Sequence, residues 1–120
     1  RKVSAQTGAA IVISGPIDIV ADSHEAWAIR NGHPMMANIT GTGCMSAGVI
    51  GCCVGADPQA LLPSCVCAMS AMGICGELAY EKLLSVDGGS GTYRVLLMDA
   101  MSKLDGTTLT HRSKAERLRI

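Results

Sequence analysis

Ile39-Thr40-Gly41-Thr42-Gly43-Cys44 runs straight into Met45 to Ala56, a stretch with no charge and no proline. The two glycines carry no Cβ, so the backbone there can turn tightly and come close to a ligand. The apolar run after them reads as a buried helix. A glycine turn that opens a helix aims free backbone N–H groups outward at the positive end of the dipole, which suits an anion and above all a phosphate. Cys44 falls in the first turn of that helix, where a thiolate would be stabilised. One short segment therefore implies a strand-to-helix unit, an anion site and a titratable side chain beside it.

Upstream of the turn, Ala9 to Ser14 reads as a short buried strand ending in Ser14-Gly15-Pro16. Asp18–Ala21 and Ala26–Arg30 read as two more strands. Asn31-Gly32 is the strongest hairpin signal in the chain, since both residues accept positive φ. It is expected to join Ala26–Arg30 to a strand at Met35–Ile39. Downstream, Asp57-Pro58 offers a cap and a proline at a first helical position. That predicts a helix running to Leu84, bent near Pro63. Asp87 to Gly91 is then a loop, Tyr93–Met98 a strand, Asp99–Leu104 a short helix, and the polar tail from Asp105 a solvated strand or end segment. The resulting order, strands, a buried helix pair, then a strand and a helix, is an α/β layered pattern. Helices apolar on several faces need more partners than 120 residues supply, so the expectation is a single domain that belongs to a longer chain.

Composition narrows the chemistry. Apolar residues make up 48% of the chain but aromatics only 2%, with no Phe, so the core must come from aliphatic, Met and Cys side chains. Met45, Met69, Met72 and Met98 are read as core filler. Ten basic and ten acidic residues balance, which argues against a nucleic-acid groove. The scarcity of aromatics removes stacking platforms for single strands. Five of the six cysteines, Cys52, Cys53, Cys65, Cys67 and Cys75, sit in apolar helical runs without zinc-ligand spacing. They read as small hydrophobes in a reducing cytosol. Ala60 to Gly76 lacks charge but is interrupted by Pro63, Ser64 and Ser70. It reads as a buried helix and not as a membrane span.

Three motifs recur together: Ile13-Ser14-Gly15-Pro16-Ile17-Asp18, Arg30-Asn31-Gly32-His33-Pro34 and Thr40-Gly41-Thr42-Gly43-Cys44. In order and spacing they resemble the hydroxyethylthiazole kinases of the ribokinase-like superfamily. Gly88 to Leu104 resembles that family's last strand and helix, and the likeness spans about residues 8 to 104. The resemblance implies a three-layer α/β/α sandwich and a homotrimer with active sites between subunits. The implied activity is ATP- and Mg²⁺-dependent phosphorylation of the hydroxyl of 4-methyl-5-(2-hydroxyethyl)thiazole in thiamine salvage. It further implies that residues 1–120 are the C-terminal portion of one kinase domain. The absent N-terminal half would carry thiazole contacts and an ATP-contacting arginine.

By the same resemblance, Gly41, Thr42 and Gly43 form an anion hole, and Gly41 also approaches the thiazole. Ser14 contacts the ATP phosphates. Cys44 stands where most of the superfamily carries an aspartate as general base. No metal ligand is assigned within this chain. Asp18 is given a turn or local hydrogen-bonding role, and His33 that of a turn histidine. Two other classes compete. A dinucleotide-binding fingerprint fails because position 46 is Ser and no acidic residue follows at a strand end. A P-loop fails because no Gly-Lys-[Ser/Thr] follows the turn. A non-catalytic fragment or assembly module remains as the alternative to the kinase.

Overall fold

The computed structural model describes residues 1–119. Its elements, in order, are α1 (Lys2–Thr7), β1 (Ile11–Ile13), β2 (Asp18–Ala21), β3 (Ala26–Ile29), a 3-10 helix (Pro34–Asn38), α2 (Thr42–Ala56), α3 (Leu61–Val86), α4 (Ser90–Lys103), α5 (Gly106–Arg112) and β4 (Ala115–Arg117). The α/β class holds. The four strands form one antiparallel sheet in the order β1-β2-β3-β4.

The register explains the core. Val12, Val20 and Trp27 stand opposite one another along the sheet. Alternation puts Ile29 on the same face as Trp27. This face meets Leu62, Cys65 and Met69 of α3, and Ile50 and Val54 of α2 join them. A second cluster lies farther along α3, where Met72, Cys75, Ala79 and Leu83 pack on Tyr93 and Leu97 of α4. Tyr93 and Leu97 are wholly buried. Each full burial of a large apolar side chain stabilises by about 1.5–3 kcal/mol. The Tyr93 hydroxyl donates to the Gly76 carbonyl at 2.9 Å, and burial pushes its pKa up to about 12. Among the described residues one helix, α3, is long and apolar enough to cross a membrane, yet 61% of its most apolar window is buried within the protein. That is the packing of a core helix.

Several expectations are corrected. Met35–Ile39 is not a strand, and Asn31-Gly32 makes no hairpin. Gly32 does take a positive φ, but Pro34 supplies a fixed φ at the start of a 3-10 turn. His33 caps that turn by accepting from the Met35 N–H at 3.0 Å. Tyr93–Met98 is helical, continuous with Asp99–Lys103 in α4. The spacing Tyr93, Leu96, Leu97, Ala100, Met101, Leu104 is a helical stripe against α3. Asp57 closes α2 and does not open α3. Pro63 is the third residue of α3, in the first turn, where its missing N–H has no helical partner to lose. The helix α5 was not foreseen in the tail, although β4 is a solvated strand as expected. Nor was α1 foreseen, and β1, read as buried, is an edge strand with Ile13 60% exposed. The helix α2 is likewise apolar without containing a single fully buried residue.

Candidate active site

The start of α2 is built as its glycines dictate. Gly41 is the N-cap with φ +97°, a left-handed conformation that a side chain would strain. Its carbonyl accepts the first helical bond, from Met45 N–H at 2.9 Å. No side chain caps the turn, so Thr42, Gly43 and Cys44 present N–H groups that have no intrahelical acceptor. Among the described residues, no atom of another segment stands within 4 Å of the place a Cβ on Gly43 would occupy.

Ser14, at the end of β1, and Thr42 and Gly43, at the start of α2, line one cleft of about 550 Å³. Its other walls are Gly15, Pro16 and Asp18 on the β1–β2 side, Asn31 to Pro34, Met36 and Ala37, and Met69, Met72 and Gly73 of α3. Three of the five expected site residues thus meet. Gly41 and Cys44 are not among the lining residues. Cys44 is exposed on the first turn of α2, one residue past Gly43. A Cβ on Gly41 would stand 4.0 Å from the Arg94 guanidinium of α4.

Asp18 and His33 take the local roles expected of them and also reach the cleft. Asp18 is 8% exposed. Its Oδ1 accepts from the Gly15 N–H at 3.0 Å, holding the turn after Ser14. Burial pushes its carboxyl pKa up, and the Gly15 hydrogen bond opposes that only in part. The rise eases the burden of an acid beside an anion site. The His33 ring stacks on Tyr80 with centroids 3.6 Å apart. Because Nδ1 accepts from Met35, the neutral ring carries its proton on Nε2.

Sequence reasoning missed Glu77, Asn31 and Arg94. Glu77 interrupts the apolar pattern of α3, and a half-buried carboxylate in such a helix signals a buried partner. Asn31 was read for its backbone, whereas its side chain is what is used. Among the described residues no group of three or more His, Cys, Asp or Glu could hold a metal ion. All six cysteines are free thiols.

Comparison with known proteins gives the family and the fold. The sequence pattern of the Hydroxyethylthiazole kinase family matches residues 1–107. The hydroxyethylthiazole kinase of Desulfovibrio desulfuricans is 51% identical over 127 aligned positions, covering all of this chain and 45% of that protein. The enzyme of the same name from Clostridium acetobutylicum is 42% identical, covering 94% of this chain and 41% of its own length. The solved hydroxyethylthiazole kinase structure from Pyrococcus horikoshii superposes with a TM-score of 0.83 at 27% identity, over 92% of this chain and 41% of that one. The chain spans less than half the length of these relatives, and it belongs to the hydroxyethylthiazole kinase family.

Proposed function

We propose that this chain supplies one portion of an enzyme that phosphorylates the hydroxyl of 4-methyl-5-(2-hydroxyethyl)thiazole with ATP. The carrying observation is the shared cleft of Ser14, Thr42 and Gly43, in a chain whose relatives bear the kinase name. ATP supplies the transferable γ-phosphoryl group. The residues present suit its phosphates: N–H donors without a side-chain cap, and a serine that lines the same cleft. Such donors are fixed before the reaction and stabilise the charge of a transferring phosphoryl group without reorganising. The substrate oxygen forms a bond to the γ-phosphorus, the bond to the β-phosphate oxygen breaks, and ADP leaves. By family resemblance Cys44, exposed one residue past the donors and outside the cleft lining, is the group assigned to take the proton lost by the hydroxyl.

The described residues offer Mg²⁺ no three-ligand set. In this reading the ion belongs with the triphosphate and with groups outside this chain. The order of the motifs supports placing residues 1–120 on the C-terminal side of one ribokinase-like domain. The remaining portion then completes the α/β/α sandwich. The open edge of β1 and the uncovered face of α2 are the surfaces it would meet. A trimer with active sites between subunits, and a cytoplasmic setting, belong to the same proposal by family resemblance.

Gly43→Val tests it. Among the described residues a Cβ on Gly43 meets no atom of another segment within 4 Å, and the branched side chain would crowd the neighbouring N–H donors. In the complete enzyme, kinase turnover should fall by ~10²-fold or more with no change in melting temperature. Unchanged turnover would remove the anion-hole assignment. The second reading is a non-catalytic module. ATP titration of this chain alone, and then with the remaining portion supplied, separates the two.

A further inference from the structure

The cleft wall from Asn31 to His33 lies outside any helix or strand. Its place is set from behind. Asn31, 4% exposed, uses its whole side-chain amide. Nδ2 donates to the Arg112 carbonyl at 2.8 Å and reaches both Glu77 carboxylate oxygens at 3.3 Å, while Oδ1 accepts from the Lys114 N–H at 2.7 Å. The Gly32 N–H donates to Glu77 Oε1 at 3.3 Å. Glu77 lies within 3.6 Å of Lys114 Nζ and 3.9 Å of the Arg112 guanidinium, and Arg112 is itself held by Glu81. The Arg30 N–H donates to the Lys114 carbonyl at 3.2 Å. Gly73 allows the close fit, since a Cβ there would lie 2.7 Å from the Asn31 carbonyl carbon. Arg112 and Lys114 lie beyond residue 107, where the family match ends.

We propose that Asn31 and Glu77, clasped by the Arg112–Lys114 segment, are positioning residues that fix the cleft wall Asn31–Pro34 and thereby set the affinity of the site for a nucleoside triphosphate. The proposal rests on reading the cleft as the nucleotide site. Neither residue needs to touch the ligand. Each orients a backbone that does, and a buried amide or carboxylate that loses its partner makes the arranged wall unfavourable. The charged groups facing Glu77 are Arg112 and Lys114, with Glu81 one turn along α3. His33, Tyr80 and His111 line the shallow cleft beside them.

The test measures ATP affinity of the complete enzyme by calorimetry at pH 6 and pH 8, with turnover recorded in parallel. Wild type, Asn31→Asp, Glu77→Gln and the double variant are compared. Asn31→Asp sets a second carboxylate against Glu77, so two like charges compete at one site. Affinity should fall by ~10-fold at pH 8, as if the competent wall were held in about one molecule in ten. It should recover at pH 6 relative to wild type, and also in the double variant, where the Gln amide donates to the new carboxylate. Wild-type affinity in Asn31→Asp, or a loss that neither lower pH nor Glu77→Gln relieves, overturns the proposal. If Asn31→Asp does not fold, Glu77→Gln alone should weaken ATP by about threefold at both pH values, and wild-type affinity there overturns it. A wild type that binds ATP but does not phosphorylate the thiazole alcohol refutes the proposed reaction and leaves the affinity comparison readable. A wild type that binds no ATP refutes both.

Discussion

Cys44 and Asp18 flank the site and answer to different physics. Cys44 is exposed, so a side chain of similar size can replace it without disturbing a core. If it takes the substrate proton, Cys44→Ala should lower kcat of the complete enzyme by roughly 10²–10⁴-fold, the usual reach of a general base. Cys44→Asp, which restores the superfamily's carboxylate, should keep or raise kcat. An alanine variant with wild-type kcat and the same pH–rate profile would end the base role. Asp18 instead is buried and held by one backbone N–H. Its raised pKa means that the folded protein holds this proton more tightly than the unfolded chain does. Stability therefore falls as pH rises from the ordinary carboxylate value through the raised one, and the deficit persists above it. Asp18→Asn retains an acceptor for Gly15 and removes the charge. Its melting temperature at pH 7 should match or exceed that of wild type, with a flatter profile between pH 4 and 7. Asp18→Ala, which removes the acceptor, should cost about 1 kcal/mol. A pH-independent drop in both variants would contradict the assignment.

At the scale of elements, legibility followed the range of the forces involved. The strands Asp18–Ala21 and Ala26–Ile29 could be read because turn residues bound them and their apolar residues pair across one register. The start of α2 was legible because only a backbone without Cβ takes the conformation of Gly41. The 3-10 turn was misread because Pro34 and the His33 side chain outweigh the local strand propensity of Met35 to Ile39. The misreading of α4 has a different cause. Val95, Leu96, Leu97 and Met98 form a continuous apolar run that suits a strand or a helix equally. Two contacts decide it, the burial of Tyr93 and Leu97 one turn apart against α3, and the Tyr93 hydroxyl on Gly76. In the candidate site, Ser14 and Gly43 could be singled out one at a time. Their meeting in one cleft could not, since it depends on how β1 and α2 are placed. The Asn31–Glu77 clasp was hidden for the same reason, because its members lie 46 residues apart and are joined by further bonds to Arg112 and Lys114 of the tail.

The whole molecule is more open than its length requires. The accessible surface is 7008 Å², against about 6100 Å² for a compact monomer of this mass. The radius of gyration is 14.5 Å, against about 13.6 Å. The excess of about 900 Å² compares with the roughly 800 Å² that each partner buries in a standard stable interface. Its location is legible. Ile13 on the β1 edge is 60% exposed, and Val95 and Met98 of α4 are 59% and 55% exposed. The edge of β1 carries only Ile11, Val12 and Ile13, with neither the charge nor the proline that protects a free edge from pairing. These 120 residues alone should therefore not behave as a stable monomer. Sedimentation of the isolated chain should show self-association, and the material should bind an apolar dye such as ANS. Adding the segment that the longer relatives carry beyond the matched part should suppress both and yield one cooperative unfolding transition. A compact monomer that unfolds cooperatively without the remaining portion, and binds no dye, would show that the open surface needs no partner. It would also shift the balance toward the reading of this chain as a self-sufficient module.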